Sequence, residues 1–167
     1  PAADLAPALL AMDAEVTLMS ERGTRIVALQ DFFLGPGKTL LNPDELLTQV
    51  SIPFPEGKSI FLKLGRRRAM SLSIVNVTVS LQMEGRHCRG AKIAMGSVAP
   101  TPIRCPRAED LLRDKEINRE LIFRCAGEAI AASIPVDDQR AKAWYRIQAG
   151  EVLLKRALFQ AAGLRND

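Results

Sequence analysis

Between Val75 and Met83 the chain keeps a strict two-residue period. Val75, Val77, Val79, Leu81 and Met83 are apolar, and Asn76, Thr78, Ser80 and Gln82 between them are polar. Side chains of a strand point alternately to opposite faces, so this run reads as a long, half-buried β-strand. Just before it, a short apolar run ends at Lys63, and Gly65-Arg66-Arg67-Arg68 then brings three charges that a buried strand cannot hide. The pattern predicts a sheet with a basic loop held at its mouth, where an anionic ligand, a nucleic acid or water can meet it. The strand is expected to pair antiparallel with residues 91–98 through a turn over residues 84–90. Val77, Val79 and Leu81 are then expected to lie under the helices that follow.

Composition narrows the classes. The 167 residues are 47% hydrophobic, enough for one or two compact units that bury about two thirds of their unfolded surface. Net charge is +4 with the signs interspersed, and aromatics are 5% of residues. A dedicated nucleic-acid binder concentrates its charge and stacks bases on aromatic rings, and no ring stands beside these arginines. No apolar run approaches the length of a membrane span. The first residue is Pro1 and no signal-peptide pattern follows, so the chain is expected to be a piece of a longer cytoplasmic protein. Cys88, Cys105 and Cys125 are odd in number and widely spaced, which fits reduced thiols. His87 is the only histidine, and His87 with Cys88 cannot close a zinc site.

Taken in order, the chain opens with a helix for which Asp4 is a candidate cap, with Leu5, Leu9 and Met12 on one face. Residues 14–19 and 25–29 read as strands joined by a turn at Ser20-Glu21-Arg22-Gly23. Gly35-Pro36-Gly37-Lys38-Thr39 ends like a phosphate-binding loop. However, Phe32 stands where the motif needs its first glycine, and Pro43 breaks the helix the motif requires. Asn42-Pro43-Asp44-Glu45 reads as a one-turn helix start, followed by a strand that stops at Pro53. Residues 54–58 are the linker candidate. After the hairpin come a short helix over 107–113, a helix over 119–133 capped by Asn118, and a third from Asp138 to about Ala162, closed by Gly163. Trp144, Ile147, Leu154, Leu158 and Ala161 are apolar on that helix, while Arg146, Lys155 and Arg156 read as a solvated face. The fold class is α+β: a three-stranded antiparallel sheet packed against about three helices.

Lys63-Leu64-Gly65-Arg66-Arg67-Arg68-Ala69-Met70-Ser71-Leu72-Ser73-Ile74-Val75 resembles the loop-and-strand signature of the flavoprotein (medium) subunits of molybdenum hydroxylases. These include the medium subunit of aerobic carbon monoxide dehydrogenase and the flavin domain of xanthine dehydrogenase. The resemblance continues in order. Asp4-Leu5-Ala6-Pro7 is similar to the family's Asp-Leu-x-Pro, and residues 43–53 to its Pro-x-Glu-Leu-Leu-x-x-Ile-x-Ile-Pro. Val98-Ala99-Pro100-Thr101-Pro102-Ile103-Arg104 resembles Val-Ala-Pro-Thr-Pro-x-Arg, and residues 138–146 resemble Asp-x-Arg-Ala-Ser-Ala-x-Tyr-Arg. At the Gly-Lys-Thr loop the family's tyrosine is replaced by Pro36.

The resemblance implies that residues 1–56 are the trailing part of an FAD-binding type-2 domain and residues 59–165 the smaller C-terminal domain. It implies FAD as cofactor, with the pyrophosphate loops upstream in the N-terminal half of the same subunit. By the same resemblance Asp4, Leu47 and Lys63 face the flavin ring. The implied partners are a molybdopterin-binding large subunit and an iron–sulfur small subunit, with no membrane and no nucleic acid. The implied activity is passage of electrons from molybdenum and iron–sulfur clusters through FAD to an external acceptor, with no catalytic side chain and no metal ligand of its own. Two other classes stand beside it: a structural interface domain without a cofactor, and a basic nucleic-acid-binding module using Arg66, Arg67, Arg68 and Arg86.

Overall fold

The computed structural model describes residues 4–54, 57–67 and 70–165. Pro1 to Ala3, and Pro55, Glu56, Arg68 and Ala69 of the expected linker and basic loop, lie outside the described residues.

The first part of the chain runs α1 (Leu5–Leu10), β1 (Glu15–Ser20), β2 (Gly23–Ala28), α2 (Leu29–Phe32), β3 (Phe33–Gly35), β4 (Lys38–Thr39) and β5 (Leu46–Ser51). β1 lies between β2 and β5 in an antiparallel three-stranded sheet. The expected phosphate-loop look-alike is only the connection between β3 and β4, which pair antiparallel. The helix start expected at Asn42 is instead a turn, closed by the Glu45 N–H donating to Asn42 O at 3.0 Å. The Glu45 carboxylate folds back to accept from the Asn42 N–H at 2.8 Å and from Arg25 at 2.7 and 2.8 Å, leaving no continuing helix.

The second part carries β6 (Lys58–Gly65), β7 (Ser73–Glu84), β8 (His87–Gly96), β9 (Ile103–Arg104), α3 (Pro106–Leu112), β10 (Lys115–Glu116), α4 (Arg119–Ala131) and α5 (Ala143–Ala162). Its sheet has the order β10-β8-β7-β6, with β9 also on β8, and every pairing is antiparallel. The three expected strands are β6, β7 and β8, with β6 at the edge, and two two-residue strands extend the sheet beyond β8. The hairpin is tighter than expected. Glu84 pairs with His87 and leaves only Gly85-Arg86 as the loop, with Gly85 at φ 61°, where glycine carries no steric cost.

The alternation of β7 is real, but the strand is not half-buried. Val75, Val77, Val79 and Leu81 are fully buried, and Asn76, Thr78 and Ser80 on the opposite face are buried as well. On the first face Val77, Val79 and Leu81 pair with Met95, Ile93 and Ala91, and this row joins Ala108, Leu112, Ile122, Ala126, Leu154 and Leu158 from α3, α4 and α5 in one core. On the second face Thr78 stands opposite Ala94, which packs with Leu10, Ala11, Val16, Leu18, Leu29 and Phe32 in a second core. The segment before residue 54 therefore covers the polar side of β7 from Asn76 to Ser80, leaving Gln82 exposed.

Helix ends follow local chemistry in part. Asn118 accepts from the Leu121 N–H at 2.9 Å and caps α4. Gly163, at φ 69°, closes α5 in the left-handed conformation. α5 starts at Ala143 rather than Asp138, and Asp137 accepts the Ala143 N–H at 2.7 Å. Trp144 and Ile147 are exposed, and Gly150, Leu153, Leu154, Ala157, Leu158 and Ala161 form the inner face instead. Among the described residues no helix is long and apolar enough to cross a membrane.

Candidate functional site

One row across the second sheet carries the chemistry. Lys63 on β6 pairs with Asn76 on β7, and Asn76 pairs with Gly96 on β8. Residues directly opposite one another share a face, and this row faces α1. Gly96 leaves the space for that approach, since a side-chain carbon there would lie 2.4 Å from Asn76 Oδ1 and 2.7 Å from Pro7 Cγ. Pro7, Ala6 and Leu10 are the buried residues of α1, while Leu5 is exposed, so the inner face of this helix is not the one its leucine spacing suggests.

Asp4 sits directly over this row. Its position is that of the α1 cap, but its side chain caps nothing. Asp4 Oδ2 instead accepts from Lys63 Nζ at 2.5 Å. Its Oδ1 accepts from the Ser73 hydroxyl and from Asn76 Nδ2, the latter at 3.2 Å. Lys63 also donates to Ser71 O at 2.9 Å. Burial by itself would raise the Asp4 carboxyl; the hydrogen bonds from Lys63 and Ser73, with the Lys63 charge, outweigh it and hold the group below its ordinary value. Both side chains keep about a third of their surface in solvent (36% each), so the pair forms a rim that a ligand can touch.

The two ends of α1 are fastened alike. Asp13 accepts from Arg104 at 2.6 Å and pairs with Lys92. Arg104 also donates to Leu10 O at 2.9 Å and, at 2.8 and 2.9 Å, to Glu109, which is itself buried and accepts the Ile93 N–H at 2.8 Å.

The residues expected at the site thus divide. Asp4 and Lys63 meet. Leu47 does not join them; it lies on β5 opposite Leu18 and is partly exposed. Ser73 and Asn76 were legible only as polar positions of the strand, and nothing local marks them as partners of a residue about seventy positions earlier.

Arg66 and Arg67 face carbonyls, donating to Gln139 O at 2.6 Å and Met70 O at 2.6 Å. Arg86 is at the opposite end of β7, paired with Glu116 at 2.9 Å. A twelve-residue strand, roughly 40 Å long, separates these arginines, so they do not form one basic patch. Arg146 is not on a solvated face. It is 1% exposed, donating to Ile74 O at 2.6 Å, Ser97 O at 3.1 Å and Asp138 Oδ1 at 2.6 Å. All three cysteines are free and buried, and burial pushes the Cys105 and Cys125 thiols up to about 12. Among the described residues no group of three histidine, cysteine or carboxylate side chains is arranged to hold a metal.

The donor set suits part of a flavin nucleotide. A fixed ammonium and carboxylate at a partly open rim fit the polar edge of an isoalloxazine ring. Among the described residues no glycine-rich turn opens a helix to cradle a pyrophosphate.

Residues 60–161 match the model of the CO dehydrogenase flavoprotein C-terminal domain, and residues 1–55 match the FAD binding domain in molybdopterin dehydrogenase. The glyceraldehyde dehydrogenase medium chain of Sulfolobus acidocaldarius is 32% identical over 162 residues, which is 97% of this chain and 58% of that protein. The carbon monoxide dehydrogenase medium chain of Afipia carboxidovorans is 30% identical over 96% of this chain and 56% of its own length. Among solved structures, carbon monoxide dehydrogenase from Hydrogenophaga pseudoflava superposes with a TM-score of 0.91 at 30% identity, covering 98% of this chain and 57% of that one. Quinoline 2-oxidoreductase from Pseudomonas putida 86 gives 0.90 at 27% identity, covering 97% and 56%. The chain therefore spans little more than half the length of these relatives. With both family models matched in order and an α+β fold to go with them, the chain belongs to the FAD-binding medium subunits of the molybdenum hydroxylase family.

Proposed function

We propose that this chain forms one wall of the flavin site in an FAD-carrying subunit that passes electrons from molybdenum and iron–sulfur centres on partner subunits to an external acceptor. The Asp4–Lys63 pair at the end of the β6-β7-β8 row carries the reading. It places one cation and one anion, already held by Ser73, Asn76 and Ser71, on a rim open to a ligand. FAD, when bound, supplies the electron-carrying chemistry. The chain's own residues orient and tune: Lys63 presents a positive charge that favours extra negative charge on a neighbouring ring, and Asp4 tempers it. Leu47, on the first sheet and apart from the pair, is assigned a ring contact by the family resemblance alone. This path needs one partner carrying molybdopterin and another carrying iron–sulfur clusters; among the relatives, the carbon monoxide dehydrogenase of Hydrogenophaga pseudoflava is described with a molybdenum cofactor.

The test uses the full-length subunit with FAD content measured first. A charge about 4 Å from the ring is worth roughly 4 kcal/mol at an effective dielectric of 20, and solvent with the Asp4 counter-charge cuts this to about 1–2 kcal/mol. With ~1.4 kcal/mol corresponding to about 30 mV for a two-electron couple, Lys63→Met is expected to lower the flavin midpoint potential by roughly 20–40 mV. Lys63→Arg should lower it less. Asp4→Asn removes the counter-charge and should shift the potential the other way. Unchanged potentials in Lys63→Met and Asp4→Asn at full FAD occupancy would remove both residues from the flavin site.

A further inference from the structure

We infer that Arg146 is a positioning residue of the Asp4–Lys63 cluster: it fixes, from the far side of the sheet, the strand ends that hold Asp4. It does not touch either residue of the pair.

The last paired residues of β7 and β8 at this end are Asn76 and Gly96. Beyond them β8 turns away at Ser97, a non-glycine residue in the left-handed region at φ 64°. Ile74 and Ser97 therefore lie past the end of the β7–β8 ladder, Ile74 being also the residue skipped at the β6–β7 register shift, and their carbonyls are in a place closed to water, since Ser73, Ile74 and Ser97 are all buried. Buried carbonyls need partners. A single guanidinium nitrogen of Arg146 donates to both. The other terminal nitrogen donates to Asp138, whose carboxylate also accepts from the Arg140 and Ala141 N–H groups and from the Arg140 side chain. Burial alone would raise the Asp138 carboxyl; the bonds from Arg140, Ala141 and Arg146 hold it well below the ordinary range, so it stays an anion opposite the buried cation.

The consequence runs along the backbone. Ile74 lies between Ser73 and Val75, and Ser73 and Asn76 are the two residues of β7 that hold Asp4 Oδ1. Ser97 follows Gly96, the position that admits Pro7 and faces Asn76, and its hydroxyl donates to Ser73 O at 3.4 Å. Arg146 thus sets both strand ends that flank the cluster. The Asp138 loop is also tied to the loop after β6 by Arg66 donating to Gln139 O. A planar fork meets three acceptors spread over two strands and a loop, whereas a lysine ammonium is a point charge without that fixed geometry. A buried guanidinium is costly to keep unless each acceptor is placed for it, so this arrangement holds the strand ends in one geometry.

The inference deepens the flavin reading of this cluster, and the two are tested by different measurements. The carboxyl of Asp4 is followed by carbon NMR in the full-length subunit labelled at aspartate and assigned by its loss in Asp4→Asn. In Arg146→Lys the Asp4 titration is expected to move up towards the ordinary aspartate range, because Ser73 and Asn76 no longer converge on it. Leu154→Ala loosens the same helix about two turns on from a fully buried position and should leave the Asp4 titration where it is. An unmoved titration in Arg146→Lys would overturn the inference. So would an equal movement in Leu154→Ala, which would reduce Arg146 to a general core residue. A wild-type flavin potential in Lys63→Met counts against the flavin reading alone and leaves the Asp4 result to decide the role of Arg146.

Discussion

The two faces of the β6-β7-β8 sheet are closed by different physics. On one, Val75, Val77, Val79, Leu81, Ile93 and Met95 meet three helices through apolar contact. That face is broad and non-directional, and its stability grows with buried area. On the other, α1 is held at one end by Asp4 with Lys63, Ser73 and Asn76, and at the other by Asp13 with Lys92 and Arg104. Among the described residues, Ala94 is the one residue of the sheet in the small core beneath it. Directional polar contacts fix orientation closely and contribute little net stability each. The first face holds the sheet together, and the second places a charge pair at its rim.

Three changes test this contrast, in order of expected size. Val79→Asp puts an unpaired carboxylate into the apolar face and should cost about 4 kcal/mol or more in urea unfolding; a change within about ±0.5 kcal/mol would mean that face is not the main source of stability. Gly96→Ala pushes a methyl into Asn76 and Pro7 on the second face. It should cost a smaller ~1–3 kcal/mol and disturb the Asp4 cluster, visible as a changed Lys63 or Asp4 environment by NMR while the unfolding transition stays cooperative. A cost matching that of Val79→Asp would show that the two faces are not energetically distinct.

The smallest effect is that of acid. Asp4 and Asp13 both have carboxyls held below their ordinary value of 3.8, burial opposing and the Lys63, Lys92 and Arg104 contacts prevailing. A carboxylate with a depressed folded-state pKa binds fewer protons folded than unfolded. Its stabilisation is full above the ordinary value and is lost as pH falls through the lowered one. Amide protection in α1, taken relative to the intrinsic exchange rate at each pH, should therefore fall below pH ~4 before that of β7 and α5 does. Simultaneous loss of protection in all three elements would sink the idea of a separately fastened helix.

Much of the second unit was legible because its signals are local. The parity of β7, the Asn118 cap and the Gly163 stop each depend on neighbours within a few residues, and each is present. The Asn42 segment misled, because Asn-Pro followed by acids also suits a turn, and Arg25 draws the Glu45 carboxylate away from any helix start. Asp4 misled in the same way: a residue placed to cap spent its oxygens on Lys63, Ser73 and Asn76 instead. Arg146 reads as a surface charge from its type alone. Only the motif it shares with relatives marked its position, and its burial came from elsewhere.

What the sequence by itself determined is the strand, its two faces, the hairpin, the helical tail and, through its ordered motifs, the family. What the tertiary structure decided is that the polar face of β7 is covered, that Asp4 and Lys63 meet there, and that Arg146 reaches the strand ends from behind. The reason is sequence distance. Asp4 lies 59 residues from Lys63 and 72 from Asn76, and Arg146 lies 72 from Ile74. Period and capping are set by contacts within a few residues, whereas those partnerships exist only once the sheet has brought distant segments into register.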